Sequence, residues 1–171
     1  MRWSKATSAI AAVILGGVVG PALAAGDDED ARLLEACLGN TPPDAHHLCI
    51  GNLSTACQSR PGGQTTVGMV DCIASEEQAW DRLLNSYWRD LQDLAVAIDA
   101  QNRSLGLEVP GASHSLLEAQ RGWLKYRDGE CALRWLPYAG GTIRGPIAAD
   151  CKLELTARRV IEFYAALSNE P

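Results

Sequence analysis

Acid–base, nucleophilic or metal chemistry in this chain would have to draw on three histidines, His46, His47 and His114, on six cysteines, and on carboxylates such as Glu76 and Asp81. His46-His47 beside Cys49 invites a zinc reading, but the two histidines are adjacent and no Cys-x-x-Cys occurs, so ligand spacing for a structural zinc is missing. Glu76 and Asp81 could serve as a glycosidase pair. On one helix, five steps of about 100° leave them roughly 140° apart, so they do not converge on one bond. Gly-x-Ser-x-Gly, His-Glu-x-x-His, phosphate-cradling glycine loops and dinucleotide fingerprints are all absent. The chain therefore reads as a non-enzymatic protein without cofactor or metal, and the cysteines become its most informative residues.

What the cysteines do depends on compartment. Arg2 and Lys5 precede an uncharged apolar run from Ala6 to Val19, and Pro21 is followed by Ala22-Leu23-Ala24. That is the layout of a cleavable secretory signal, with residues 1–24 removed. The run falls short of the roughly 20 apolar residues a membrane span needs, and Asp27-Asp28-Glu29-Asp30 follows it where a basic stop would stand. No cysteine follows the cleavage site to carry a lipid, and no second run is long enough to span. A soluble periplasmic or secreted bacterial product is expected. In an oxidising compartment Cys37, Cys49, Cys57, Cys72, Cys131 and Cys151 read as a disulfide framework. Sequence alone does not choose the connectivity. Sequential pairing is preferred, because 37–49, 57–72 and 131–151 each close a short loop beside a helix end.

Losing Arg2 and Lys5 takes the formal net charge from −6 to −8. Nucleic acid and anionic membrane surfaces both need a basic patch and are disfavoured as partners, whereas a cationic protein is compatible. Nothing in the sequence speaks to oligomeric state.

The elements that must position these residues are helical. From Met69 the apolar positions run Met69, Ile73, Trp80, Leu83, Tyr87, Leu91, Leu94 and Ile98, stepping by three or four once Glu76 fills the gap, which predicts one long helix over about 68–101. A second is expected after Val109-Pro110-Gly111, with Ser115 and Glu118 as a capping box and Leu116, Gln120, Trp123, Arg127, Cys131 and Arg134 as its inner stripe. A third follows Gly145-Pro146, with stripe residues Ala149, Leu153, Thr156, Val160, Phe163 and Leu167. Before Met69, Pro42-Pro43 and Pro61-Gly62-Gly63 break the chain into short pieces, read as helices over about 28–38 and 44–53 with irregular chain to Thr65. The expected fold is all-α: a disulfide-stapled bundle of about three long helices with a cysteine-rich segment of short helices ahead of it. A single domain over 25–171 is expected, 25–64 forming the cysteine-rich N-terminal subdomain and 65–171 the helical core.

Each long stripe contains polar residues where the period calls for apolar ones: Glu76, then Gln120 and Arg127, then Thr156 with neighbouring Arg159. A buried charge is tolerated only when paired and hydrogen-bonded. Glu76 with Arg127 is the expected pair, with Asp81, Asn85, Arg121 and Asp128 as further members. The set is either a satisfied core network that fixes helix register or a functional cleft. Trp123, Tyr126 and Trp135 are weighted toward the core.

The run Thr65-Thr66-Val67-Gly68-Met69-Val70-Asp71-Cys72, then Glu76, Trp80-Asp81, Leu84-Asn85 and Tyr87, then Ala119-Gln120-Arg121-x-Trp123-x-x-Tyr126-Arg127-Asp128-x-x-Cys131, then Cys151 and Thr156-x-x-Arg159, resembles the LprI-type lysozyme-inhibitor domain over about 57–167. The resemblance implies a secreted, disulfide-bonded helical domain and, for the named member, inhibition of lysozyme. This chain departs from it in lacking the lipid-bearing cysteine, in adding Cys37 and Cys49, and in inserting Pro61-Gly62-Gly63. Lysozyme or another cationic cell-wall hydrolase is the implied partner. Tyr138-Ala139-Gly140-Gly141-Thr142-Ile143, held between Cys131 and Cys151, is the candidate loop to enter a carbohydrate cleft; its plainer role is a helix connection that turns on glycine. The competing expectation is a structural or stress-related envelope protein that binds another component without inhibiting lysozyme.

Overall fold

In the computed structural model, which describes residues 24–168, all regular structure is helical and no strand occurs among the described residues. The expected leader, residues 1–24, lies outside the described residues except for Ala24. The elements are α1 (Ala24–Asn40), a 3-10 turn (Pro43–Cys49), α2 (Asn52–Gln58), α3 (Thr66–Ser104), α4 (Ala112–Trp135), a second 3-10 turn (Leu136–Tyr138) and α5 (Arg144–Ser168). No helix among the described residues is long and apolar enough to cross a membrane.

The longest element, α3, extends over 39 residues, about 58 Å of helix axis. Thr65 starts it, its hydroxyl oxygen accepting from the Gly68 N–H at 3.0 Å. Gly106, at φ 67°, ends it: the Gly106 N–H bonds the Arg103 carbonyl and the Leu107 N–H the Asn102 carbonyl. This pair of bonds is the Schellman arrangement that glycine favours just past a helix. The inner stripe of α3 buries Ile73, Glu76, Trp80, Leu83, Tyr87 and Leu91, as its period requires. α5 lies along it and contributes Leu153, Ala157, Val160 and Phe163, while Leu34 and Leu38 of α1 close the core from the other side. α4 covers α3 and α5 from outside. All six positions of its expected stripe are buried or half-buried.

The pairing Cys37–Cys49, Cys57–Cys72 and Cys131–Cys151 is the sequential one. The first fastens the 3-10 turn to α1, the second ties α2 to the start of α3, and the third joins the end of α4 to α5.

Local details differ from expectation where the stabilising partner is distant in sequence. α4 begins at Ala112, one turn before Ser115, because Asp99 of α3 accepts from the Ala112 and Ser113 N–H groups at 2.5 and 3.1 Å. Hydrogen bonds from Ser113 and Ala112 hold the Asp99 carboxyl below the usual carboxylate range. Ser115 and Glu118 therefore lie inside the helix, and Glu118 pairs with Arg121 instead. The segment expected as a helix over 44–53 is a tight turn that stops at Ile50. Gly51 then takes the left-handed conformation, φ 89°, and α2 follows where irregular chain was expected. His46 is 4% exposed and meets the Tyr164 ring edge-to-face at 5.4 Å. His47 and His114 are exposed.

The Pro61-Gly62-Gly63 segment is a packed turn. The Gly62 carbonyl accepts from the Thr65 N–H and hydroxyl at 3.1 and 2.7 Å, and a Cβ on Gly68 would collide with that carbonyl. Gly68→Ala is expected to lower stability by about 1–3 kcal/mol in urea denaturation, the usual cost of overpacking. Gly122→Ala, on an open surface of α4, should raise it by up to about 1 kcal/mol through helix propensity. Equal effects at the two positions would contradict the packing described for the turn.

Candidate functional site

The polar residues inside the stripes separate into two constellations, and Glu76 stands apart from Arg127. Glu76 is 1% exposed. Its carboxylate accepts from the Gly51 and Ser54 N–H groups, each at 2.7 Å, and from the Trp80 indole at 3.1 Å. It thus caps α2 from a neighbouring helix, its negative charge placed against the positive end of the α2 dipole. The expected Glu76–Arg127 pair does not form, because backbone donors and an indole already occupy this carboxylate.

Arg127 belongs to the α3–α4–α5 junction. Its guanidinium donates to the Thr156 hydroxyl at 3.4 Å, and Thr156 in turn donates to Glu77 at 3.2 Å. Across the helix junction its acidic partner is therefore the residue after the expected one, reached through a hydroxyl, while Asp128 pairs with it directly on α4. One turn earlier on α4, Trp123 faces two guanidinium groups, Arg127 at 5.1 Å and Arg159 at 5.8 Å from its ring centroid. Arg159 also donates to Gln120 at 3.1 Å and to Glu162 at 2.7 Å. Toward the other end of α4, Arg134 bridges Glu130 and Glu154 at 3.0 and 2.7 Å. The Arg134 hydrogen bond is the main reason the Glu154 carboxyl lies below its ordinary range. Gln120, Trp123, Arg127, Thr156 and Arg159 of the motif run together as one interlock between helices, a geometry that fixes the register of α4 on α5.

The remaining expected members stay out of that interlock. Asn85 donates to Asp81 at 2.9 Å on the surface of α3. Arg121 pairs with Glu118 at 2.9 Å, and Asp128 meets only the adjacent Arg127 at 3.3 Å. Asp81, Asn85 and Arg121 instead line a groove of about 330 Å³ between α3 and α4, together with Trp88, Trp123 and Leu124. Among the motif aromatics, Trp80 and Tyr87 are core residues, and Tyr87 donates its hydroxyl to Glu35 at 2.9 Å. Tyr126, weighted toward the core, is 55% exposed, because its position on α4 faces away from both neighbouring helices. The outer surface of α4 also exposes Leu117, Leu124 and Leu133.

Beyond α4, the loop from Tyr138 to Ile143 projects at the end of the bundle with both of these side chains exposed. It is fixed at its base by Cys131–Cys151, by the Arg144 guanidinium donating to the Ala139 carbonyl at 3.0 Å, and by the Gly141 N–H bonding the Tyr138 carbonyl at 2.9 Å. Neither Gly140 nor Gly141 has a positive φ. Added methyl groups would meet nothing within 4 Å at Gly140 and only ordinary contacts at Gly141. Glycine here is dispensable for turning and leaves the backbone bare.

These arrangements suit recognition: fixed helices, an exposed apolar and aromatic face on α4, and a fastened loop. Among the described residues no group of three or more histidines, cysteines or carboxylates is placed to hold a metal ion.

No solved structure matches this chain significantly. It is similar to the uncharacterized protein R02472 of Rhizobium meliloti (strain 1021), with 30% identity over 118 residues that cover 67% of this chain and 85% of that protein. The family model described as "Lysozyme inhibitor LprI" matches residues 57–163, from the cysteine that ties α2 to α3 through the interlocked stripe of α5. The chain belongs to the LprI lysozyme-inhibitor family.

Proposed function

We propose that this protein is an exported, non-enzymatic inhibitor of lysozyme or of a related cationic cell-wall hydrolase, with the loop Tyr138, Gly140, Gly141 and Thr142 as the part that enters the enzyme's cleft. The observation that carries the proposal is the family match over 57–163. Three features support it. The three disulfides fit an oxidising compartment, and the leader read in residues 1–24 would deliver the chain there. The acidic balance, −6 for the whole chain, steers it toward strongly cationic lysozymes of the common animal type. A loop fastened at its base keeps the ordering cost of insertion low.

Calorimetric titration of the oxidised protein into such a lysozyme should give a saturable complex that weakens as salt rises, since the attraction is screened within about 10 Å at 0.1 M ionic strength. Gly140→Ala with Gly141→Ala should reduce affinity at least about tenfold while leaving the thermal midpoint within about 2 °C, because the added methyl group meets nothing at Gly140 and only ordinary van der Waals contacts at Gly141. Unchanged affinity would remove the loop from the interface and leave the exposed face of α4 as the place to look. Absence of any complex would favour the envelope-component reading.

A further inference from the structure

We propose that a groove between α1 and α3, on the part of the molecule that carries α1, binds a phosphate group. It measures about 430 Å³, and Arg32, Arg82 and Arg89 line it together with Glu35, Asn85 and Ser86. Arg82, Ser86 and Arg89 share one face of α3, being spaced four and three residues apart. In a chain of formal charge −6, three guanidinium groups on one groove are a local inversion of sign. Arg82 and Arg89 take part in none of the ion pairs among the described residues. The Arg82 Nε–H is buried without a hydrogen-bond partner. A buried unsatisfied donor costs about 1–3 kcal/mol, more when charged, so its retention points to a ligand that satisfies it.

Charge selects the ligand class. Glu35, the carboxylate among the described lining residues, is held by the Tyr87 hydroxyl at 2.9 Å, and Arg82 and Arg89 present two positive charges to the groove. A phosphomonoester, carrying about −1.5 to −2 at pH 7, matches that surplus, whereas a carboxylate would leave about half of it uncompensated. Guanidinium groups bind such oxyanions in bidentate fashion, and the Ser86 hydroxyl adds a neutral donor. Among the described residues no aromatic side chain lines the groove, so they offer no stacking platform of the kind expected of a sugar or base site. The α1 wall precedes residue 57, where the family match begins, whereas Arg82 and Arg89 lie inside it, so only the α3 wall of the groove falls within the matched domain.

The test is calorimetric titration of the oxidised full chain with inorganic phosphate at low ionic strength, with acetate as the competing anion. Saturable one-to-one binding of phosphate, at least about tenfold tighter than acetate, is expected. Arg82→Gln with Arg89→Gln should weaken it at least about tenfold, and Lys125→Gln on the exposed side of α4 should leave it unchanged. Arg89 is exposed, so Arg89→Gln alone keeps the fold and should still weaken binding at least about threefold, even if the double variant proves unstable. No saturable binding, equal affinity for acetate, an unaffected Arg89→Gln, or an equal loss in Lys125→Gln would each overturn the proposal. Sedimentation with phosphatidylcholine vesicles containing phosphatidic acid identifies the source of the group. Arginine-dependent pelleting assigns it to a lipid, and phosphate binding without pelleting assigns it to a free ligand. Neither outcome depends on lysozyme inhibition.

Discussion

Replacing Glu76 by alanine is expected to remove about 3–5 kcal/mol of stability, a large share of the roughly 5–15 kcal/mol that holds a domain of this size folded. The side chain is 1% exposed and satisfies three donors, the Ser54 N–H and Trp80 indole buried and the Gly51 N–H half-buried. Its removal leaves the Gly51 and Ser54 N–H groups and the Trp80 indole unpaired, at about 1–3 kcal/mol for each group that water cannot reach. The α2 N-terminus would open first, exposing the indole of Trp80, so the loss is readable in urea denaturation followed by tryptophan fluorescence. Glu76→Gln retains the shape and one acceptor and should fall between wild type and alanine. Arg127→Ala, which removes the link to Thr156 and the guanidinium over Trp123, should cost less, about 1–2 kcal/mol. Because Glu76 and Arg127 share no partner, the double variant should be additive within about 0.5 kcal/mol. A coupling above about 1 kcal/mol would restore the direct pair that the stripe positions suggested.

Breaking the disulfides has the other large effect. Bridges closing separations of 12, 15 and 20 residues each constrain the unfolded chain by about 3 kcal/mol in the loop-entropy treatment. Losing all three therefore consumes most of the stability of a typical domain. The loss should be uneven along the chain. α1, the first 3-10 turn and α2 rest on two of the three bridges, on the Glu76 cap and on a few core residues such as Leu34 and Leu38, whereas α3 and α5 supply most of the apolar core. Reduction should release residues 24–58 to fast amide exchange before α3 and α5 open. Serine at both Cys131 and Cys151 should instead loosen the end of α4 and the Tyr138–Ile143 loop while leaving the N-terminal segment protected. Uniform exchange across the chain on reduction would mean that the segment and the bundle unfold together.

How much was legible in the sequence follows the range of the interactions. The three long helices and their inner faces could be read, because a 3.6-residue period is local and Met69, Ile73, Glu76 and Trp80 show it without reference to anything else. The sequential cysteine pairing was legible for a related reason: short loops at helix ends keep partners near. What could not be read was any cap supplied from another element. Asp99 starts α4 from α3, and Glu76 starts α2 across 25 residues of sequence, so the local Ser115–Glu118 pattern pointed to the wrong turn. The same limit applies to the polar residues. Periodicity placed Glu76, Gln120, Arg127 and Thr156 inside, but it could not say that Arg127 reaches acid through Thr156 to Glu77, since Glu76 and Glu77 differ by one residue and by a third of a turn. The Arg82–Arg89 groove was invisible because half of it belongs to α1, and neither half is unusual alone.

The central claim is inhibition, and the most direct measurement is the clearing of a bacterial cell-wall suspension by animal lysozyme in the presence of the purified, oxidised protein. At about tenfold molar excess over the enzyme the clearing rate should fall by most of its value. The chemically reduced protein should inhibit far less, because it no longer holds the fastened loop and the face of α4 in place. An unchanged clearing rate at that excess, with the protein shown to be folded and disulfide-bonded, would contradict the inhibitor reading.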